Sequence, residues 1–279
     1  MDAKRLRVGD IEMAYEEAGS GERPFVLVYG FTGSRDDFSD VLPELGELGH
    51  TVILDQRGHG DSTNTRDRST YHFAQLQEDL LGFLDAMGIE RCDLLGHSMG
   101  GVVSLRFALD HPERVASLVL MDTTPGPIAV LPKGLVAAGA LLGRVFGMGL
   151  LYRGARRRAR REGTRAPSMR RCEERMGSER YWRRVQRKLE AMDPVAFGAL
   201  GVQLSDHEPV NGRLAEIRVP TLVVVGAEDV PFLRPSREVA EGIGGAAHEI
   251  VADAAHSPHL ENRDVWLAAI RARLRRARA

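Results

Sequence analysis

Cysteine and lysine are scarce in this chain of 279 residues. Its two cysteines, Cys92 and Cys172, match no metal-ligand or redox spacing, so no disulfide framework or cysteine metal centre is expected. Charge of one sign is missing as well. With 38 basic and 39 acidic residues the formal charge is −1, which leaves no whole-molecule basic excess for binding nucleic acid. The N-terminal MDAKRLRVGDIEMAYEEAG lacks the apolar run of a secretory leader, so a cytoplasmic protein is expected. Internal repeats and Gly/Ser-rich linkers are also absent, which favours one interrupted unit over two strung domains. Hydrophobic residues at 43%, charged residues at 28%, 30 Gly and 13 Pro are ordinary values and exclude disordered, collagen-like and coiled-coil chains.

The order of the apolar runs decides the fold class. Residues 24–29 (PFVLVY) and 51–54 (TVIL) read as strands buried on both faces. Phe73, Leu76, Leu80, Leu81, Leu84 and Met87 recur at helical spacing before Gly88. Cys92–Gly96, a helix from about Met99 to Asp110, and Val115–Met121 complete further β-α-β units, and parallel strands with right-handed crossovers follow. The pattern resumes with a strand at 220–226, a helix around 235–242, a short strand at 248–251 and a last helix from about Pro258. Between about Thr123 and Asn211 strand signals vanish and the chain is helical and charged. The expectation is an α/β core made of residues 1–122 and 212–279, interrupted by a helical cap or lid at 123–211.

Gly96-His97-Ser98-Met99-Gly100-Gly101 follows a strand and opens a helix. In that setting G-x-S-x-G reads as a nucleophile elbow, a turn that lifts the serine hydroxyl above the sheet. A serine hydroxyl needs a base and an acid that orients the base. Asp229, in Gly226-Ala227-Glu228-Asp229, and His256, before Ser257-Pro258, follow the last two strands and are the candidates. Glu228 and Asp122 are the competing acids. His259 is the competing base, expected instead to face solvent or the sheet edge. Attack on a carbonyl also needs oxyanion donors, each worth about 3 kcal/mol. The backbone N–H groups of Met99 and Phe31 are the expected pair. No metal or organic cofactor is required by this constellation.

Tyr29-Gly30-Phe31, Asp55-Gln56-Arg57-Gly58-His59-Gly60-Asp61-Ser62, Gly96–Gly101, Gly226–Asp229 and His256-Ser257-Pro258 together resemble the α/β-hydrolase superfamily, in its branch with a helical cap. The resemblance covers about residues 8–122 and 213–276. It implies a mostly parallel central sheet covered by helices on both faces, and a serine hydrolase with Ser98, Asp229 and His256 as its triad. Family members usually carry His where Tyr29 stands, so the side-chain hydrogen bonding of that loop must differ. Ala255 stands where a glycine often precedes the histidine.

Two features lie inside the expected cap. Residues 134–151 (GLVAAGALLGRVFGMGLL) contain one charge, Arg144. They read as a lid helix over an apolar pocket, with peripheral membrane contact as the less favoured reading and a transmembrane helix opposed by Arg144. Residues 153–190 carry 14 arginines and one lysine against five glutamates, a net of +10, so the rest of the chain carries −11. Most of that block reads as solvated exterior. The sharper alternative is that one or two arginines turn inward to hold a substrate carboxylate or phosphate. The expected activity is cleavage of a small or medium carboxylic ester or related acyl compound, the substrate being apolar, with an anionic group as the further option. The alternatives are a lactonase, a carbon–carbon bond hydrolase, a cofactor-free haloperoxidase, a menaquinone-pathway lyase, or a receptor or pseudoenzyme without turnover.

Overall fold

A computed structural model describes residues 3–128, 132–161 and 167–278. Glu162 and Arg165 of the basic block lie outside the described residues. Eight strands form one sheet: β1 (Lys4–Val8), β2 (Ile11–Ala18), β3 (Phe25–Val28), β4 (Thr51–Leu54), β5 (Cys92–His97), β6 (Val115–Met121), β7 (Thr221–Gly226) and β8 (Ala247–Val251). Their spatial order is β1-β2-β4-β3-β5-β6-β7-β8, with β1 and β2 antiparallel and the strands from β4 to β8 parallel. Charge hides the β1–β2 hairpin in the sequence: Lys4, Arg5 and Arg7 are all exposed on an edge strand that buries only Val8.

Alternation along the strands sorts the core into two layers. Val26, Val28, Leu118, Leu120 and Val223 face one side, against α2 (Phe73–Ala86), α3 (Met99–Asp110) and α9 (Val230–Gly242). Phe25, Leu27, Val119, Met121 and Val224 face the other, against α1 (Leu42–Gly46) and α11 (Arg263–Arg278). A mostly parallel sheet with helices on both faces is the result. Helix α9 begins at Val230, five residues earlier than the sequence suggests, and tolerates Pro235 inside it. The last helical segment is split: α10 (Pro258–Glu261) ends at Asn262, and α11 starts at Arg263.

Among the described residues five α-helices stand between β6 and β7: α4 (Lys133–Phe146), α5 (Gly149–Ala159), α6 (Pro167–Met176), α7 (Ser178–Ala191) and α8 (Pro194–Leu204). Residues 134–151 are therefore two helices rather than one, broken at Gly147 (φ 79°). The small residues of α4 decide its packing. Gly139 lies against Phe197 and Gly143 against Met148 and Pro194, so α4 docks on α8 and leaves Leu135, Leu141, Val145 and Phe146 exposed. It does not cover the pocket, as the lid reading required. Helices α6 and α7 do that instead. No helix among the described residues is long and apolar enough to cross a membrane.

Candidate active site

Ser98 sits between β5 and α3 with φ 53°, a left-handed conformation costly for a residue with a Cβ. Its N–H donates to the Met121 carbonyl (2.9 Å), and its carbonyl accepts from Thr123 Oγ1 (2.8 Å) and Val102 N–H (3.1 Å), so the turn is held from two elements. Gly100 is obligatory here, because a Cβ would stand 2.4 Å from the carbonyl oxygens of Val28 and Tyr29. The Ser98 side chain is thereby raised above the ends of the parallel strands.

Asp229 and His256 reach the same point from the ends of β7 and β8. His256 Nε2 lies 3.0 Å from Ser98 Oγ, and His256 Nδ1 lies 2.7 Å from Asp229 Oδ2. A carboxylate opposite Nδ1 favours the tautomer protonated there, which leaves Nε2 to accept the serine proton. Phe31 lines the same cavity as Ser98, Met99 directly follows Ser98 at the start of α3, and no hydrogen bond from either amide N–H to an acceptor is seen among the described residues. The Phe31 ring stacks on Phe197 of α8 (centroids 5.2 Å apart), which ties the loop after β3 to the helical segment.

The competing residues have other places. Glu228 pairs with Arg171 on α6, and the acid bonded to the imidazole is Asp229. Asp122, fully buried at the end of β6 with φ 45°, accepts from Gly226 N–H (2.9 Å). One oxygen of Asp122, one of Asp229 and one ring nitrogen of His256 lie within 4.8 Å of each other. Burial, and then the charge of Asp229, hold the Asp122 carboxyl well above the usual carboxylate range. A group of two acids and a histidine at this spacing can in principle hold a metal ion. Here His256 Nδ1 and Asp229 Oδ2 bond each other and Asp122 Oδ1 accepts from Gly226 N–H, which leaves Asp122 Oδ2 without a partner among the described residues. His259 is not at the surface. It is buried against Phe38 (centroids 4.7 Å apart) and Trp266, because the single turn of α10 folds back under the site.

Three positioning residues escaped the sequence reading. His97 Nε2–H donates to the carbonyl of His256 (2.7 Å), while burial and the neighbouring histidines push its pKa well down and keep it neutral. Glu261 is fully buried and accepts from Ala255 N–H (3.0 Å) and Ser257 N–H (2.8 Å), gripping the chain on both sides of His256. Arg171 then joins Glu261 to Glu228, so one arginine of α6 spans the loops that carry the histidine and the acid. A glutamate five positions after a histidine is a faint signal, visible only once the tertiary contact is known. Tyr29 replaces the usual histidine in a different way: its hydroxyl accepts from Gln56 N–H (2.8 Å), and its carbonyl accepts from Gln56 Nε2 (3.0 Å).

A cavity of about 300 Å³ opens onto Ser98 and His256. Phe31, Met169, Met176, Val185 and Leu260 make it largely apolar, and Asp37, Arg184 and Lys188 supply charge on its wall.

The model of the alpha/beta hydrolase fold family matches residues 23–263. Over 130 residues, 46% of this chain and 48% of the relative, the sequence is 42% identical to a Variovorax paradoxus protein named as a carbamate hydrolase, RutD. The chain thus spans about half the length of that relative. It is 27% identical over 254 residues, 88% of each chain, to a Bacillus subtilis protein named as a 2-succinyl-6-hydroxy-2,4-cyclohexadiene-1-carboxylate synthase. Among solved structures, a thermophilic esterase from Thermogutta terrifontis superposes over 100% of both chains with a TM-score of 0.82 at 24% identity, a likeness of fold.

Proposed function

The chain belongs to the α/β-hydrolase fold family and is an enzyme of that family, and from this premise we propose that it is a serine hydrolase cleaving a small or medium carboxylic ester. The observation that carries the reading is the unbroken contact from Ser98 Oγ to His256 Nε2 (3.0 Å) and from His256 Nδ1 to Asp229 (2.7 Å).

Ser98 Oγ attacks the ester carbonyl as His256 Nε2 takes its proton, and Asp229 holds the ring in the required tautomer. The N–H groups of Phe31 and Met99 receive the oxyanion. His256 returns the proton to the departing alcohol, leaving an acyl-enzyme on Ser98. Water, deprotonated by the same histidine, then releases the acid. Helices α4–α8 serve as the cap, and the apolar wall from α6 and α7 excludes bulk water. The likeness to the Bacillus synthase over 88% of both chains favours one second reading, a lyase step run by the same three residues without an acyl-enzyme.

Turnover of p-nitrophenyl acetate tests the assignment. Ser98→Ala and His256→Ala are each expected to lose at least about 10³-fold in kcat while melting like the parent. Parental turnover by Ser98→Ala refutes it.

A further inference from the structure

We propose that the cavity binds a substrate bearing a carboxylate, and that Arg184 of α7 is the residue that holds it. The inference rests on the ester-hydrolase reading for the identity of the reaction, and adds the chemical class of the substrate.

Helix α7 presents Tyr181, Arg184, Val185 and Lys188 to the cavity, and the spacing i, i+3, i+4, i+7 is one helical face. The inward arginine is therefore fixed by the packing of the helix. The Arg184 side chain is 90% buried, with a relative exposure of 10%. Its Nη2 donates to Asp40 (2.8 Å), but Nη1 is buried and has no hydrogen-bond partner among the described residues. A buried cationic donor left without an acceptor costs free energy that a ligand oxygen recovers on binding. The guanidinium thus has one arm anchored on Asp40 and one arm unmatched, and Arg184 lines the same cavity as Ser98.

The surrounding charges select a monoanion. Lys188 donates to Asp37 (2.5 Å), so that pair is balanced. Asp40 is shared by Arg180 (2.5 Å) and Arg184, two cations on one carboxylate. His259 adds no charge: burial, with Arg184 and Lys188 nearby, pushes its pKa down to about 3. Among the residues that line the cavity, Arg184 and Lys188 stand against Asp37, one positive charge in excess, which matches one carboxylate rather than a phosphate dianion. The apolar lining between this wall and Ser98 accommodates a short hydrocarbon spacer. A cavity of about 300 Å³ is at the lower end of ligand sites and suits a small compound. The expected substrate is a short acyl ester with a free carboxylate at the end remote from the scissile bond.

Mono-p-nitrophenyl succinate and its methyl ester differ only in that carboxylate. The parent is expected to favour the acid over the methyl ester by about 10- to 100-fold in kcat/KM, the range for a charge-assisted hydrogen bond. In Arg184→Gln that ratio falls to near one, and Arg184→Lys, which keeps the charge but not the fork, restores part of it. Calorimetric titration with succinamate, which contains no ester, separates the two proposals. Succinamate is expected to bind the parent at least tenfold more tightly than it binds Arg184→Gln. Arg184-dependent binding of succinamate without turnover of either ester upholds the anion site and removes the hydrolase reading. Turnover of both esters with no charge preference, or with a preference and succinamate binding that survive in Arg184→Gln, overturns the anion site and leaves the hydrolase reading intact.

Discussion

Gly30→Ala places one methyl group in the tightest contact of the site. A Cβ built on Gly30 stands 2.8 Å from Ser98 Cβ, 3.3 Å from Ser98 Oγ and 3.4 Å from the His97 carbonyl oxygen. Carbon atoms in good packing are about 3.5–4.0 Å apart, so the overlap is on the order of 0.7 Å or more. Ser98 has little freedom to absorb it, because its backbone is bonded to Met121, Thr123 and Val102. Relief comes from moving the serine side chain off His256 or moving the loop that carries the Phe31 N–H. Displacements approaching 1 Å cost about 10²-fold in rate, while overpacking of this kind costs about 1–3 kcal/mol of stability. Gly30→Ala is thus expected to stay folded and melt a few degrees lower. Its kcat on p-nitrophenyl acetate should fall about 100-fold, and the rate of fluorophosphonate labelling should fall with it. A variant that labels and turns over at the parental rate shows that Gly30 does not abut the reacting serine.

Three further outcomes follow from the same geometry. Asp229→Asn should lose about 10⁴-fold in kcat through the wrong histidine tautomer. Asp122→Asn, which leaves the Asp229–His256 contact in place and keeps an acceptor for Gly226 N–H, should stay within about threefold, and the reverse order in steady-state kinetics assigns the orienting role to Asp122. Tyr29→Phe removes the acceptor of the buried Gln56 N–H and should lower stability by about 1–3 kcal/mol in urea unfolding; an unchanged midpoint contradicts the role given to that hydroxyl. His259, with a folded pKa of about 3 against about 6.5 when unfolded, contributes stability that is complete above pH 6.5 and lost as the pH falls toward 3. The parent should lose up to about 1.4 kcal/mol per pH unit more than His259→Gln between pH 6 and 4, and parallel stability profiles refute this.

The parts legible in the sequence are those fixed by local backbone demands. A serine forced to φ 53° needs small neighbours, so Gly96–Gly101 announces itself. Asp229 and His256 stand just past strands whose apolar runs are unmistakable. What remained hidden depends on which way a side chain turns once distant segments meet. Arg184 is one of 14 arginines between residues 153 and 190, and only the docking of α7 separates it from its exposed neighbours. His259 looked like a surface residue until α10 proved to be one turn tucked beneath the site. The same holds for Glu261, whose carboxylate bonds the backbone beside a histidine five positions earlier. The exposed face of α4 followed from glycines that fix which side packs, a detail that total hydrophobicity does not record.

The acyl-enzyme is the central claim, and mass spectrometry of protein quenched in acid during turnover of p-nitrophenyl acetate tests it most directly. One acetyl group on the peptide containing Ser98, absent from Ser98→Ala, is the expected result. Sustained ester turnover with no acyl group on Ser98 contradicts it.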